Sequence, residues 1–372
     1  MTAFDFDKFA DAMTASMPDN DSQNTVNKFL STGFLPLNYA ISGHGLDGGL
    51  PQGKIIEIFG PESSGKTAIA TEVMIATQKA GGFPGFFDHE RSFNFALAEK
   101  RGLLVDKGHF LFRQPRTFED SIMESLDTAA KIRKMGLPID RPLSWVFDSL
   151  ASMIPMSQLD PKKGITKLGM ADQLALSRAT SLNFKTMALM AEELNICMVF
   201  LNQIRMKPGI MYGDPTTTPG GNAPKFYASV RIQLGAHRII RGKGDDAVQI
   251  GSEISARCVK NKVYRPWMKT KWKFMFRDDG TGYFDNIGST LDVLIARKAL
   301  EMKGTRILWD GKAYFRDQLV SKLELDPAES LAKLETMFVD FGLTSGDHDA
   351  EGEKFSGVEN DDSDDIHVEN DE

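Results

Sequence analysis

The sequence predicts an α/β fold: a mostly parallel sheet flanked by helices, an antiparallel extension of that sheet, and a small α+β C-terminal domain. Three observations predict it. Short β-rich runs alternate with longer amphipathic stretches up to about residue 230, and a glycine-rich string, 60–67 (GPESSGKT), lies between one such run and one such stretch. Past 230, strand-like runs follow one another with little helix between them.

From the N-terminus, Phe4, Phe6, Phe9, Met13 and Met17 recur loosely at helical spacing before PDNDSQN breaks the pattern, so 1–28 is read as an amphipathic arm and linker. The core is expected over 29–285. Its strands are 54–59 (KIIEIF), 85–88 (GFFD), 142–148 (PLSWVFD) and 196–202 (ICMVFLN), each bounded by turn residues, and its main helices cover 67–80 and 173–194. The runs 230–234, 253–260 and 271–277 form the antiparallel extension. In the last of these, Trp272, Phe274 and Phe276 alternate with basic residues, as a stacking platform for nucleic acid could. Period-two alternation is equally what a half-buried strand shows, and the three rings are expected to pack inward.

After the turn at 278–282 (DDGTG), residues 286–346 read as a small second domain, helical around a hairpin at Asp310-Gly311. Asp326, Pro327 and Glu329 start its last helix as N-cap, first-turn proline and capping-box acid. The tail, 347–372, has too few apolar residues to offset the entropy of ordering and is expected to be disordered.

Composition narrows the class. A chain of 372 residues that is 41% apolar and 26% charged has a substantial core and is not disordered over most of its length. No apolar run reaches the roughly 18–20 residues of a bilayer span, and the N-terminus lacks a signal-peptide layout, so a cytoplasmic protein without a membrane partner is expected. Cys197 and Cys258, far apart and outside any CxxC, are expected to be reduced and exclude a disulfide framework or zinc site. The tail holds twelve acids against Lys354, so its −11 turns a body of +4 into a net −7. A basic body with an acidic tail is one charge asymmetry of nucleic-acid proteins.

The string Gly60, Pro61, Glu62, Ser63, Ser64, Gly65, Lys66, Thr67 matches G-x-x-x-x-G-K-[ST] with a strand before it and a helix after it. Such a loop turns backbone N–H groups onto a β-phosphate at a helix N-terminus, and only small residues allow that approach. Lys66 would then reach the β- and γ-phosphates of ATP, and Thr67 would bind Mg²⁺. The run Trp145, Val146, Phe147, Asp148 offers a second metal ligand in Asp148. A neighbouring strand ends Asp88, His89, Glu90. Glu90 is the candidate catalytic base, Asp88 the alternative, and His89 is expected to pack or hydrogen-bond locally.

GPESSGKT, 202–231 (NQIRMKPGIMYGDPTTTPGGNAPKFYASVR) and 259–262 (VKNK) together resemble the bacterial-type RecA recombinases, over about 30–285. The departures noted below suit a divergent or phage-encoded member. The resemblance implies a RecA-like P-loop ATPase core whose helical filament on single-stranded DNA pairs it with homologous double-stranded DNA in recombination and repair. Single-strand-binding or mediator proteins would assist it. It makes Gln203 the sensor of the γ-phosphate and 204–221 a DNA-gripping loop. The residues suit that role: Arg205 and Lys207 can meet phosphates, Met206, Ile210 and Tyr212 can wedge or stack, and Gly209, Gly213, Gly220 and Gly221 permit rearrangement.

The resemblance places a second DNA loop at about 159–170, with Lys162, Lys163 and Lys167, where the sequence departs from the bacterial pattern. It also implies that Lys260 and Lys262 reach ATP across a subunit interface containing Phe226. Taken alone, lysines alternating on a strand are more often a solvated face. Leu97 stands where relatives stack a tyrosine on adenine. Two other readings stay open: a ring helicase on the same core, and a filament-forming regulatory protein with a vestigial ATPase.

Overall fold

The computed structural model describes residues 26, 28–159, 174–206, 216–242, 247–279, 281–340 and 366–368. Nearly all of the expected arm, the segments 160–173 and 207–215, and most of the acidic tail lie outside them. The chain enters through β1 (Phe29–Leu30), α1 (Leu35–Ser42) and β2 (Leu50–Pro51), with β1 and β2 paired antiparallel. Five strands then alternate with helices: β3 (Ile55–Gly60), α2 (Lys66–Lys79), β4 (Phe83–Asp88), α3 (Phe95–Lys100), β5 (Leu111–Arg113), α4 (Phe118–Lys134), β6 (Leu143–Asp148), α5 (Ala175–Glu193) and β7 (Ile196–Gln203). These strands pair parallel in the order β3-β7-β6-β4-β5.

Sheet faces covered on both sides call for apolar runs rather than alternation, and every residue of β3 and β6 is buried. Ile56, Ile58, Val199 and Leu201 meet Ile69, Val73 and Met74 of α2 on one face. Ile55, Trp145, Phe147, Met198 and Phe200 meet Phe118 of α4 and Phe184 and Met187 of α5 on the other. Each such side chain contributes about 1.5–3 kcal/mol. The Phe147 and Phe200 rings stack with centroids 4.5 Å apart, fixing β6 against β7. Helix α4 starts in a full capping box formed by Thr117 and Asp120.

Beyond β7 come the two-residue strands β8 (Arg205–Met206) and β9 (Thr216–Thr217), then α6 (Ala223–Tyr227). The antiparallel extension follows as β10 (Val230–Arg241), β11 (Val248–Asn261), β12 (Lys269–Phe276) and β13 (Gly282–Phe284), joined to the parallel part where β10 pairs with β3. Trp272 is buried against Phe34, ring centroids 5.1 Å apart, and Phe274 packs beside it. Phe276, at the strand's end, is 43% exposed, which corrects the expectation that all three rings point inward. Cys197 and Cys258 are buried free thiols, and burial pushes Cys258 up to about 12.

The C-terminal unit comprises α7 (Asn286–Ala296), the antiparallel strands β14 (Met302–Lys303), β15 (Arg306–Trp309) and β16 (Lys312–Tyr314), α8 (Arg316–Leu323) and α9 (Pro327–Asp340). Its apolar cluster includes Leu291, Trp309, Leu319 and Phe338, and borrows Leu35 and Tyr39 from α1, so it is fastened to the core by a shared interior. Asp326 caps α9 by accepting from the Glu329 N–H at 3.2 Å, while the Glu329 carboxylate pairs with Lys333 instead of closing a box. Within the tail, β17 (Ile366–Val368) pairs parallel with Ile239, Ile240 and Arg241 of β10.

Candidate active site

Because β3 ends at Gly60 and α2 begins at Lys66, the loop between them is short and tightly wound. A Cβ on Gly60 would lie 2.7 Å from the Leu234 carbonyl oxygen, and one on Gly65, at φ +83°, would strike Ile254 at 2.7 Å. Glycine is thus sterically required at both ends of the cradle. Gly65 caps α2 without a side-chain acceptor, so the first-turn N–H groups face the loop, where the helix dipole favours an anion. The Lys66 ammonium donates to the carbonyls of Gly60 (3.1 Å) and Pro61 (2.6 Å). Burial lowers its pKa, opposed by Asp148, Glu90 and Glu62.

The carboxyl ends of the parallel strands bring the other groups to this edge, the usual ligand side of such a sheet. Gly60 lies opposite Gln203, and Asp88 opposite Asp148. The Thr67 hydroxyl donates to Asp148 Oδ2 at 3.1 Å. Burial, then the charge of Glu90, raises Asp148 to about 7 against the opposing pull of Thr67 and Lys66, so a cation at this point would be strongly welcomed. Two hard oxygen donors fit Mg²⁺, which keeps waters and binds substrate phosphate. Among the described residues no cluster of three or more His, Cys, Asp or Glu could hold a metal by itself.

Of the three residues that end β4 and follow it, Glu90 alone is an exposed carboxylate at this edge. Its Oε1 accepts from the Ser149 hydroxyl, from Ser152 Oγ (3.4 Å) and from Gln203 Nε2 (3.4 Å). Asp88 is buried and committed to the chain that follows it, accepting from the N–H groups of Ser92 (3.2 Å) and Phe93 (3.3 Å) and from Gln114 Nε2 (3.3 Å). His89 turns away to Ser121 on α4, and burial, reinforced by Arg91, lowers it to about 4.

Gln203 therefore touches the candidate base and precedes the candidate DNA loop by one residue. The neck of that loop is closed by β8 and β9, with Arg205 opposite Thr217 and Met206 opposite Thr216. Arg205 is exposed. Lys207, Gly209, Ile210, Tyr212 and Gly213 lie outside the described residues, as do Lys162, Lys163 and Lys167. Gly220 and Gly221 take φ +92° and +72° and turn tightly against Leu150 and Ser177, and the Gly220 carbonyl accepts from Thr180 Oγ1 at 2.7 Å. Gly220 is buried, so it shapes the turn.

Phe226 is 69% exposed on α6, and Lys260 Nζ donates to the carbonyls of Lys225 (2.7 Å) and Phe226 (2.6 Å) beside it. Burial, with Lys262 and Arg231, lowers Lys260 to about 8. The ammonium is held at α6 and not at the phosphate loop of its own chain. Leu97 lies exposed on α3.

Sequence reasoning missed Ser149, Ser152, Glu57 and Asn202, and a cleft of about 230 Å³ lined by Thr216, Thr217, Thr218, Lys225, Arg257 and Trp267 among others. Ser149 could have been found as the residue following Asp148. The cleft depends on register between distant segments.

The model of the RecA N-terminal domain family matches residues 7–281. Protein RecA of Geobacter metallireducens is 36% identical over 292 residues, covering 78% of this chain and 76% of the relative. Protein RecA of Citrifermentans bemidjiense is 36% identical over 278 residues, 74% of each. Matched by the family's model over residues 7–281, and by such relatives over most of their own length, the chain belongs to the RecA family.

Proposed function

We propose that this chain is an ATP-dependent recombinase. It polymerises on single-stranded DNA, pairs that strand with homologous duplex and exchanges strands, and ATP turnover is stimulated by DNA. The observation that carries the reading is the position of Gln203. Its side chain meets Glu90 at the phosphate-loop edge, and its backbone leads within two residues to Arg205 at the loop neck. A group that senses the γ-phosphate and a group that grips DNA thus share one short stretch of chain, so a change at one moves the other.

Each residue has a part in this scheme. The loop 60–67 and Lys66 hold the phosphates, and Thr67 and Asp148 hold Mg²⁺, which screens phosphate charge when bound. Glu90, oriented by Ser149, accepts the proton of the attacking water. ATP binding organises the DNA loop and hydrolysis releases it. Lys260, Lys262 and Phe226 form the face offered to the next protomer's nucleotide. The cleft beside the loop neck suits polynucleotide: Trp267, 52% exposed, offers a ring for stacking, and Thr218 Oγ1 and Arg257 Nε are buried donors with no hydrogen-bond partner among the described residues.

The test is ATP turnover with and without single-stranded DNA, alongside electron microscopy and a strand-exchange assay. Stimulated turnover, open helical filaments and exchanged strands are expected, with Lys66→Ala lowering turnover about a hundredfold or more. Closed rings that unwind duplex would replace this reading with a ring motor, and turnover indifferent to Lys66→Ala would remove the site assignment.

A further inference from the structure

Glu57 lies within a strand whose six residues are all buried, and is itself 1% exposed. A buried carboxylate is costly unless both oxygens are engaged, and here both are. Arg231 Nε donates to Oε2 at 2.6 Å, and Asn202 Nδ2 donates to Oε1 at 2.8 Å. Register explains the meeting. Glu57 is opposite Arg231 on β10 and opposite Phe200 on β7, and Asn202 is two residues on from Phe200, on the same face.

The Asn202 amide does more than satisfy Glu57. Its Nδ2 also donates to the Pro219 carbonyl at 3.1 Å, and its Oδ1 accepts from the Gln203 N–H at 3.0 Å. Asn202 and Pro219 stand where the chain leaves the core for the loop and where it returns. Arg231, over the Phe59 ring at 4.8 Å, is the register partner of Lys260. One carboxylate thus engages the amide beside the sensor and the strand next to the interface lysine directly, and through that amide it reaches the returning end of the loop at Pro219. Well-packed apolar side chains are often as stable as a buried ion pair, so stability alone gives no reason for charge here.

We propose that Glu57 is a positioning residue: held by Arg231, it orients Asn202, whose amide ties Gln203 to Pro219 at the two ends of the 204–218 segment, so that nucleotide occupancy at Gln203 alters how that segment meets single-stranded DNA. The proposal rests on the reading of that loop as the DNA-binding segment.

Glu57→Gln keeps the shape but leaves Arg231 without a counter-charge, and that variant can fail to fold. Glu57→Leu combined with Arg231→Met removes both charges and fills the space. The measurement is the affinity of the full-length protein for single-stranded DNA with a non-hydrolysable ATP analogue and with ADP, with the thermal midpoint recorded beside it. The double variant is expected to lose about tenfold in the ratio of the two affinities while its midpoint stays close to wild type. If both affinities fall together and the ratio survives, the residue merely packs and the proposal is overturned. A wild-type protein with no such ratio would sink the DNA reading instead. Tryptic cleavage after Arg205 then decides: the double variant is cleaved about tenfold faster if Glu57 closes the loop neck, and at the wild-type rate if it does not.

Discussion

Asp88, His89 and Glu90 are consecutive, yet burial gives them three different chemistries. Asp88 spends its oxygens on two backbone N–H groups and the Gln114 amide, Glu90 keeps its carboxylate at the phosphate-loop edge, and His89 is turned inward to Ser121. With His89 lowered from 6.5 to about 4, the unfolded chain binds a proton there that the folded chain refuses. Stability therefore rises with pH between about 4 and 6.5, and acid removes up to about 3 kcal/mol through this group. Urea midpoints measured across that window should flatten in His89→Gln, which keeps a polar partner for Ser121; an unchanged slope would assign it to other groups. Lys66 could be picked out as a candidate because its spacing from Gly60 and Gly65 is fixed along one segment, and Glu90 because it follows the end of a neighbouring strand. Glu57 could not: in KIIEIF it reads as one acid in an apolar strand, and its importance comes from Arg231 and Asn202, 174 and 145 positions away.

At the scale of elements, what could be read was set by how strongly burial patterned the chain. Four of the five parallel strands stood out as apolar runs between turn residues, whereas the three-residue β5 was not read and β10 and β11 extend well past the expected 230–234 and 253–260. Beyond Leu234 the strand continues through Gly235, Ala236 and His237, a stretch with weak alternation, and it is held as strand by the ladder to Ile254, Ser255 and Glu253. Tertiary pairing overrode local propensity there. Strand β12 shows the converse, since its basic and aromatic alternation was correctly a packing signal for Trp272 and failed only at Phe276, which is paired with Gly282 but stays exposed. Trp272→Ala should cost about 3–5 kcal/mol, and Phe276→Ala about 1 kcal/mol or less. Equilibrium urea unfolding separates the two, and equal losses would mean that β12 packs along its full length.

For the whole molecule, the decisive asymmetry is electrostatic. Twelve acids within 347–372 offset a body that is otherwise positive, and β17 brings part of that segment onto Ile239–Arg241, beside the long β10–β11 ladder. If the tail competes with duplex phosphate for basic surface, Mg²⁺ relieves the competition by neutralising carboxylates. Removing 347–372 should tighten duplex binding about three- to tenfold at low Mg²⁺ and flatten its dependence on Mg²⁺, because the group that the cation relieves is gone. Fluorescence anisotropy of a labelled duplex, titrated with full-length and shortened protein across a Mg²⁺ series at constant ionic strength, measures both effects. Parallel curves for the two proteins would mean that the acidic segment serves something other than the DNA surface. A shortened protein that binds more tightly yet keeps its Mg²⁺ dependence would place the cation's effect at Thr67 and Asp148 instead.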